Sequence, residues 1–107
     1  MEEMKAIYVI EFNGKRAICV NTDYTKKFSL NTSEMNFIQY LVPLQLQKGL
    51  DEWLILKLDD ISLQLNTPKA TISGWLKKLR EANILVQESF RSTLWKVNPQ
   101  MIDICKR

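Results

Sequence analysis

The chain has 107 residues, 46% of them hydrophobic, with a formal net charge of +3. That length suits one domain with a core rather than two, and the hydrophobic fraction excludes a disordered chain. There is no histidine, and the only cysteines are Cys19 and Cys105, which excludes a standard zinc site and a disulfide framework.

Both thiols read as indifferent residues of a reducing cytoplasm. No apolar run approaches the roughly 18 residues of a membrane span, and MEEMK is unlike a signal peptide. A soluble, cytoplasmic protein is therefore expected. The charge is unevenly placed. Residues 1–58 carry seven Lys/Arg against seven Asp/Glu, and residues 59–107 carry eight against five. The excess lies in the second half, as on a phosphate-binding surface.

In chain order, Ala6–Val20 reads as a β-hairpin: two β-rich runs, AIYVIEF and KRAICV, joined by Asn13-Gly14, a strong hairpin signal. Tyr8, Ile10 and Phe12 share one face, Ile7 and Val9 the other. Apolar residues on both faces mean that neither is simply solvated; one packs on the helical part, and the other is either a dimer surface or a second layer within the monomer. Phe28-Ser29-Leu30 is expected to add a short strand after the polar segment Asn21–Lys27. Asn31 and Glu34 have capping-box spacing and open a helix to Val42, which Pro43 should end or kink. Gln45–Leu50 reads as a loop or a frayed turn, with Gly49 as a stop.

Trp53–Leu58 is a short apolar run, with Trp53 in the core, and Asp59 is expected to cap the next helix. Leu58, Ile61, Leu65, Ile72, Leu76 and Leu79 fall where two crossed helices would face a core. Leu65-Asn66-Thr67 is the turn between them, and Asn tolerates a left-handed backbone there. Thr67 can cap the second helix, with Pro68 at its first position. The residues left facing outward, Lys69, Ala70, Ser73, Gly74, Lys77, Lys78 and Arg80, are small near the helix start and basic beyond it. No acid lies between Asp60 and Glu81. Leu85–Glu88 and Leu94–Val97 read as strands around Ser89-Phe90-Arg91-Ser92, with Trp95 in the core. Pro99 opens a short closing helix whose Met101, Ile102 and Cys105 pack back or meet a second subunit.

This is the layout of a helix-turn-helix, in which the second helix presents its N-terminal half to the DNA major groove. Asp60–Leu85 resembles the winged-helix family of DNA-binding proteins without a gap. Asn66 and Asn83 stand where the family usually has glycine, and both keep the left-handed option. Gly74 stands where the family often has Arg or another long polar residue, which removes a base contact and lowers helix propensity by about 1 kcal/mol. The resemblance implies that Trp53–Leu58 supplies a short strand pairing with a wing, and that residues 84–98 form the wing, with Arg91 at a minor groove or phosphate. The bland reading of Arg91 is a solvated hairpin tip. KVNPQMI after the wing looks like the end of the winged-helix domain in replication initiators of Gram-positive plasmids.

The expected fold is thus α+β: one winged helix-turn-helix domain over 1–107, with an N-terminal β-hairpin extension at 1–30, a core at 31–107, the helix-turn-helix at 59–82 and the wing at 84–98. The expected function is sequence-dependent binding of double-stranded DNA by helix 68–82, in transcription regulation and as a homodimer reading two half-sites. Lys69, Ala70, Ser73 and Gly74 face base edges; Thr71, Lys77 and Lys78 hold phosphates; Thr67 and Arg91 complete the set. Replication initiation or copy control on a plasmid or virus is the alternative, and a protein-interaction module with the helix pair as scaffold is another. No catalytic constellation is evident. Asp59-Asp60 is explained by a helix start, Ser73 has no base, and no Gly-rich phosphate loop occurs. Neither an enzyme nor a cofactor, metal, membrane or small-molecule partner is expected.

Overall fold

The structure, a computed structural model, describes residues 4–106; part of the N-terminal segment read above as unlike a signal peptide lies outside them. The fold is α+β, with four helices and two three-stranded sheets. β1 (Ile7–Phe12) and β2 (Lys15–Val20) form the expected antiparallel hairpin. Asn13 and Gly14 both take positive φ, 52° and 75°, as a two-residue hairpin turn requires.

The segment after the hairpin forms a helix, and Phe28-Ser29-Leu30 is not the expected strand. Thr22–Lys27 is a short helix, α1, capped by Asn21, whose side chain accepts from the Asp23 N–H at 3.0 Å. Phe28 ends it, and Ser29 turns left-handed at φ 56°. Polar composition hid the helix, which is anchored by buried Tyr24 and Thr25.

α2 (Thr32–Lys48) begins with the expected capping box: Asn31 Oδ1 accepts the Glu34 N–H at 2.8 Å, and Glu34 Oε1 accepts the Asn31 N–H at 2.7 Å. It does not stop at Pro43 but runs on to Lys48. Pro43 is exposed, and what holds the helix beyond it is Gln45. This fully buried side chain donates to the carbonyls of Gly49 and Glu52 and accepts the Val97 N–H, each at 2.8 Å. Gly49, at φ 119°, is the stop.

β3 (Leu54–Ile55) pairs with β5 (Leu94–Val97), which pairs with β4 (Leu85–Gln87), all antiparallel. Between β3 and β4 lie α3 (Leu58–Leu65) and α4 (Lys69–Glu81). The core joins Phe37, Ile38, Leu41 and Val42 of α2 to Ile61 of α3, to Ile72, Leu76 and Leu79 of α4, and to Trp95 and Val97 of β5. Trp53 is only half-buried and lies under the Lys96 ammonium, 4.5 Å from its ring centre.

The C-terminus departs from expectation. Pro99–Met101 is one 3-10 turn, and Ile102–Lys106 is a strand, β6, parallel to β1. The last strand thus completes the hairpin's sheet, in the order β2-β1-β6. Ile7, Val9 and Ile102 are buried on its inner face. No described helix is long and apolar enough to cross a membrane.

Candidate nucleic-acid interface

α3 and α4 are joined by three residues, Asn66 to Pro68. Asn66 sits at φ 50°, ψ 49°, a left-handed C-cap of the kind Asn tolerates. Ser62 braces the turn: its hydroxyl donates to the Thr67 carbonyl at 2.6 Å, and its own carbonyl accepts the Thr67 N–H at 3.1 Å. Thr67 does not cap α4, because its hydroxyl donates to the Leu65 carbonyl at 2.9 Å. Pro68 is the N-cap residue, and no side chain caps the first turn. Nor does Asp59 cap α3. The N-cap there is Lys57, without a side-chain bond, and Asp59 lies inside the first turn, where its carboxylate pairs with the Lys69 ammonium.

Ile72, Leu76 and Leu79 are buried and fix the rotation of α4. Trp75 locks it further against Phe37, with ring centres 5.2 Å apart. Lys69, Ala70, Thr71, Ser73, Gly74 and Lys77 are exposed. A Cβ added at Gly74 would meet nothing within 4 Å, so this face offers open space over its middle. Lys78 turns elsewhere. Its ammonium donates to the Ser29 carbonyl at 3.0 Å and lies 3.8 Å from the buried Glu34 carboxylate. It neutralises the start of α2, so it does not join Lys77 on the open face. Thr67 likewise belongs to the turn.

The β4–β5 hairpin is tied to α4 by contacts between side chains. Arg80 donates to Gln87 Oε1, Gln87 Nε2 donates to the Ser92 carbonyl at 2.8 Å, and the Arg80 guanidinium lies over Trp95, 5.8 Å from the ring centre. The hairpin tip closes with the Ser92 N–H on the Ser89 carbonyl at 3.0 Å. Arg91, at its third position, has φ 66°, a conformation that turns usually give to Gly or Asn. Phe90 beside it is 82% exposed, with the Arg91 guanidinium 5.2 Å from its ring centre.

Between the start of α3, α4 and this hairpin runs an open cleft of about 640 Å³. Leu56, Leu76 and Trp95 form part of its lining, and Lys57, Lys77, Arg80 and Arg91 stand on it with Asp59 as the only acid among the described residues. Lys57 and Arg80 are cations outside the expected contact set. Arg80 carried a signal, since it is basic and at an outward position of α4. Lys57 carried a weaker one, since it lies in the run Trp53–Leu58 that the resemblance pairs with the wing. The arrangement presents cations on three elements to one groove, suited to a polyanion. Comparison of the chain with protein-family models, with curated proteins and with solved structures finds no significant match.

Proposed function

We propose that this chain is a winged helix-turn-helix protein that binds double-stranded DNA as a homodimer and regulates transcription. α4 enters the major groove, and the β4–β5 hairpin acts as the wing. The observation that carries the reading is the exposed face Lys69, Ala70, Ser73, Gly74 and Lys77 beside a cleft bearing Lys57, Arg80 and Arg91. α4 is 13 residues long, about 20 Å, enough to lie in a major groove about 12 Å wide.

Lys69 and Ser73 are the residues able to read base edges, and Ala70 can touch a thymine methyl. Few long polar side chains reach from this face, so base discrimination is modest and DNA shape contributes. Lys57, Lys77, Arg80 and Arg91 meet phosphates, which position the protein without reading sequence. Arg91 supports this role, since a left-handed Arg costs about 1 kcal/mol or more in backbone energy and such strain concentrates at functional sites.

Fluorescence anisotropy on a random duplex across a salt series tests the reading. Four phosphate contacts per copy give a slope of log affinity against log salt of about −4 for one bound copy and about −7 for the dimer. A flat salt response, or no binding at low salt, overturns it. Selection from a random duplex pool then gives the preferred site.

A further inference from the structure

The sheet β2-β1-β6 has an outer face that no part of the DNA reading uses. Ile18, Val20 and Ile104 pack against the core along with Ile7, Val9 and Ile102. Alternation places the remaining residues outward, and the strand register sets them in rows. Cys19, Tyr8 and Asp103 form the first row, Ala17, Ile10 and Cys105 the second, and Lys15 stands beside Phe12 in the third. Apart from Lys15 and Asp103 these residues are uncharged and largely apolar. Tyr8, Ile10 and Cys105 are half-buried, Ala17 and Cys19 are exposed, and Phe12 is 56% exposed. Lys15 and Asp103 are both exposed, and neither is in an ion pair among the described residues.

We propose that a second copy of this chain covers this face through a two-fold interface in which Lys15 of each copy pairs with Asp103 of the other. Strands lie about 4.8 Å apart and residues about 3.3 Å apart along a strand, so Lys15 and Asp103 are about 16 Å apart and cannot meet within one chain. Ile10 is the midpoint between them. A two-fold axis above Ile10, parallel to the sheet, midway between the two packed faces and at right angles to the Lys15–Asp103 line, exchanges the two charges. It crosses the strands of the copies at roughly 70°, near the orthogonal class of sheet packings. It also lays Tyr8 over Ala17 of the second copy and Phe12 over Cys105 of the second copy. Large side chains then meet small ones, and each face is complementary to itself, as a two-fold interface requires.

Pairing through the edge of β2 is less favourable, because Gln39 Nε2 already donates to the Ile18 carbonyl at 2.9 Å. The face measures about 14 by 17 Å from strand spacings, roughly 240 Å² of flat area per copy and below the size of standard specific interfaces, so a weak dimer is expected, with dissociation on the order of 100 μM. The inference specifies the homodimer of the proposed function, and its test reads mass rather than DNA, which keeps the two failures distinguishable.

The experiment is sedimentation velocity of the full chain from about 1 to 200 μM. The wild type is expected to shift from 12.6 kDa toward twice that mass. Lys15→Asp and Asp103→Lys should each weaken self-association tenfold or more, since each sets like charges together at both ends of the interface. An equimolar mixture of the two variants should regain wild-type association, because the mixed dimer has two opposite-charge pairs. Circular dichroism checks that both fold. If either does not, Phe12→Ser replaces it and is expected to show the same loss. A wild type that stays at 12.6 kDa throughout overturns the proposal. So do substituted chains that associate like the wild type, or a mixture that stays monomeric.

Discussion

The Lys69 ammonium pairs with the Asp59 carboxylate, so the first residue of α4 is held by the first turn of α3. Both side chains are largely exposed, at 60% and 74%, and a pair in that setting contributes about 0–1 kcal/mol. Lys69 can therefore leave Asp59 for a base or phosphate at little cost. Asp59→Asn removes both the competitor and the one acid among the described residues of the cleft. It should raise affinity for every duplex several-fold and leave the melting temperature nearly unchanged. Anisotropy and thermal melting measure both, and an unchanged affinity would show that Lys69 does not meet DNA.

Ser73 tests the groove face directly. Ser73→Glu places an acid at an exposed position of α4, where it repels phosphates without disturbing the core. DNA binding should be lost while the circular dichroism spectrum stays native. Lys77→Ala should weaken all sequences alike and flatten the salt slope by about one unit. A folded Ser73→Glu chain that binds like the wild type would place this helix outside the groove.

Arg91 separates stability from binding. Its φ of 66° suits glycine, and relieving that strain recovers about 1–2 kcal/mol, less the 0.5–1 kcal/mol or so of entropy a glycine loses. Arg91→Gly should thus stabilise the fold by about 0.5–1 kcal/mol while weakening DNA binding several-fold without changing sequence preference. Urea denaturation and anisotropy read the two effects. Loss of stability would mean that the Arg91–Phe90 contact outweighs the strain.

Gln45 is the polar centre of the α2–β5 junction. Gln45→Leu leaves the Glu52 carbonyl and the Val97 N–H without the partners they have now, while the Gly49 carbonyl keeps the Glu52 N–H at 3.2 Å. Each unsatisfied buried group costs about 1–3 kcal/mol, so a loss of about 3 kcal/mol is expected in denaturant unfolding. A loss below about 1 kcal/mol would show that water replaces the amide.

Tyr24 predicts an alkaline limit to stability. Its hydroxyl donates to the Ala82 carbonyl at 2.6 Å, and burial raises its pKa above the ordinary 10.0; burial raises Tyr40 in the same direction. The folded state keeps the proton that the unfolded chain gives up near pH 10. Stability is therefore full below about pH 10 and falls as pH rises toward the folded pKa. Tyr24→Phe should cost about 1 kcal/mol at neutral pH and reduce the alkaline slope, with Tyr40 retaining part of it. Thermal melts from pH 7 to 11 check both.

Local signals were legible in the sequence. Asn13-Gly14, the Asn31–Glu34 capping box and Asn66 each act within a few residues, and the structure has all three as expected. Non-local effects were not. The pull of Gln45 on α2 comes from Val97, and it outweighs the break that Pro43 signals. Lys78 is outward by helical spacing, yet the buried Glu34 captures it. The cleft itself depends on the Arg80–Gln87 contact between α4 and β4, which no spacing within either element announces. The pairing of β1 with β6 left no sign either, since a parallel partner can lie anywhere along the chain.

That pairing bears on synthesis. The Lys5–Gln100 hydrogen bond beside it spans 95 residues, and β1 is made well before β6. During translation, the hairpin has one edge without its neighbour until residues 102–106 have left the ribosome. For most of that time the nascent β1 edge is a row of unpaired backbone groups, open to any extended segment in reach. Helices α2 to α4 can fold on the way, but the N-terminal sheet closes last. A stop codon or frameshift before Ile102 would make that edge permanent, so chains that lack β6 should aggregate rather than simply lose stability.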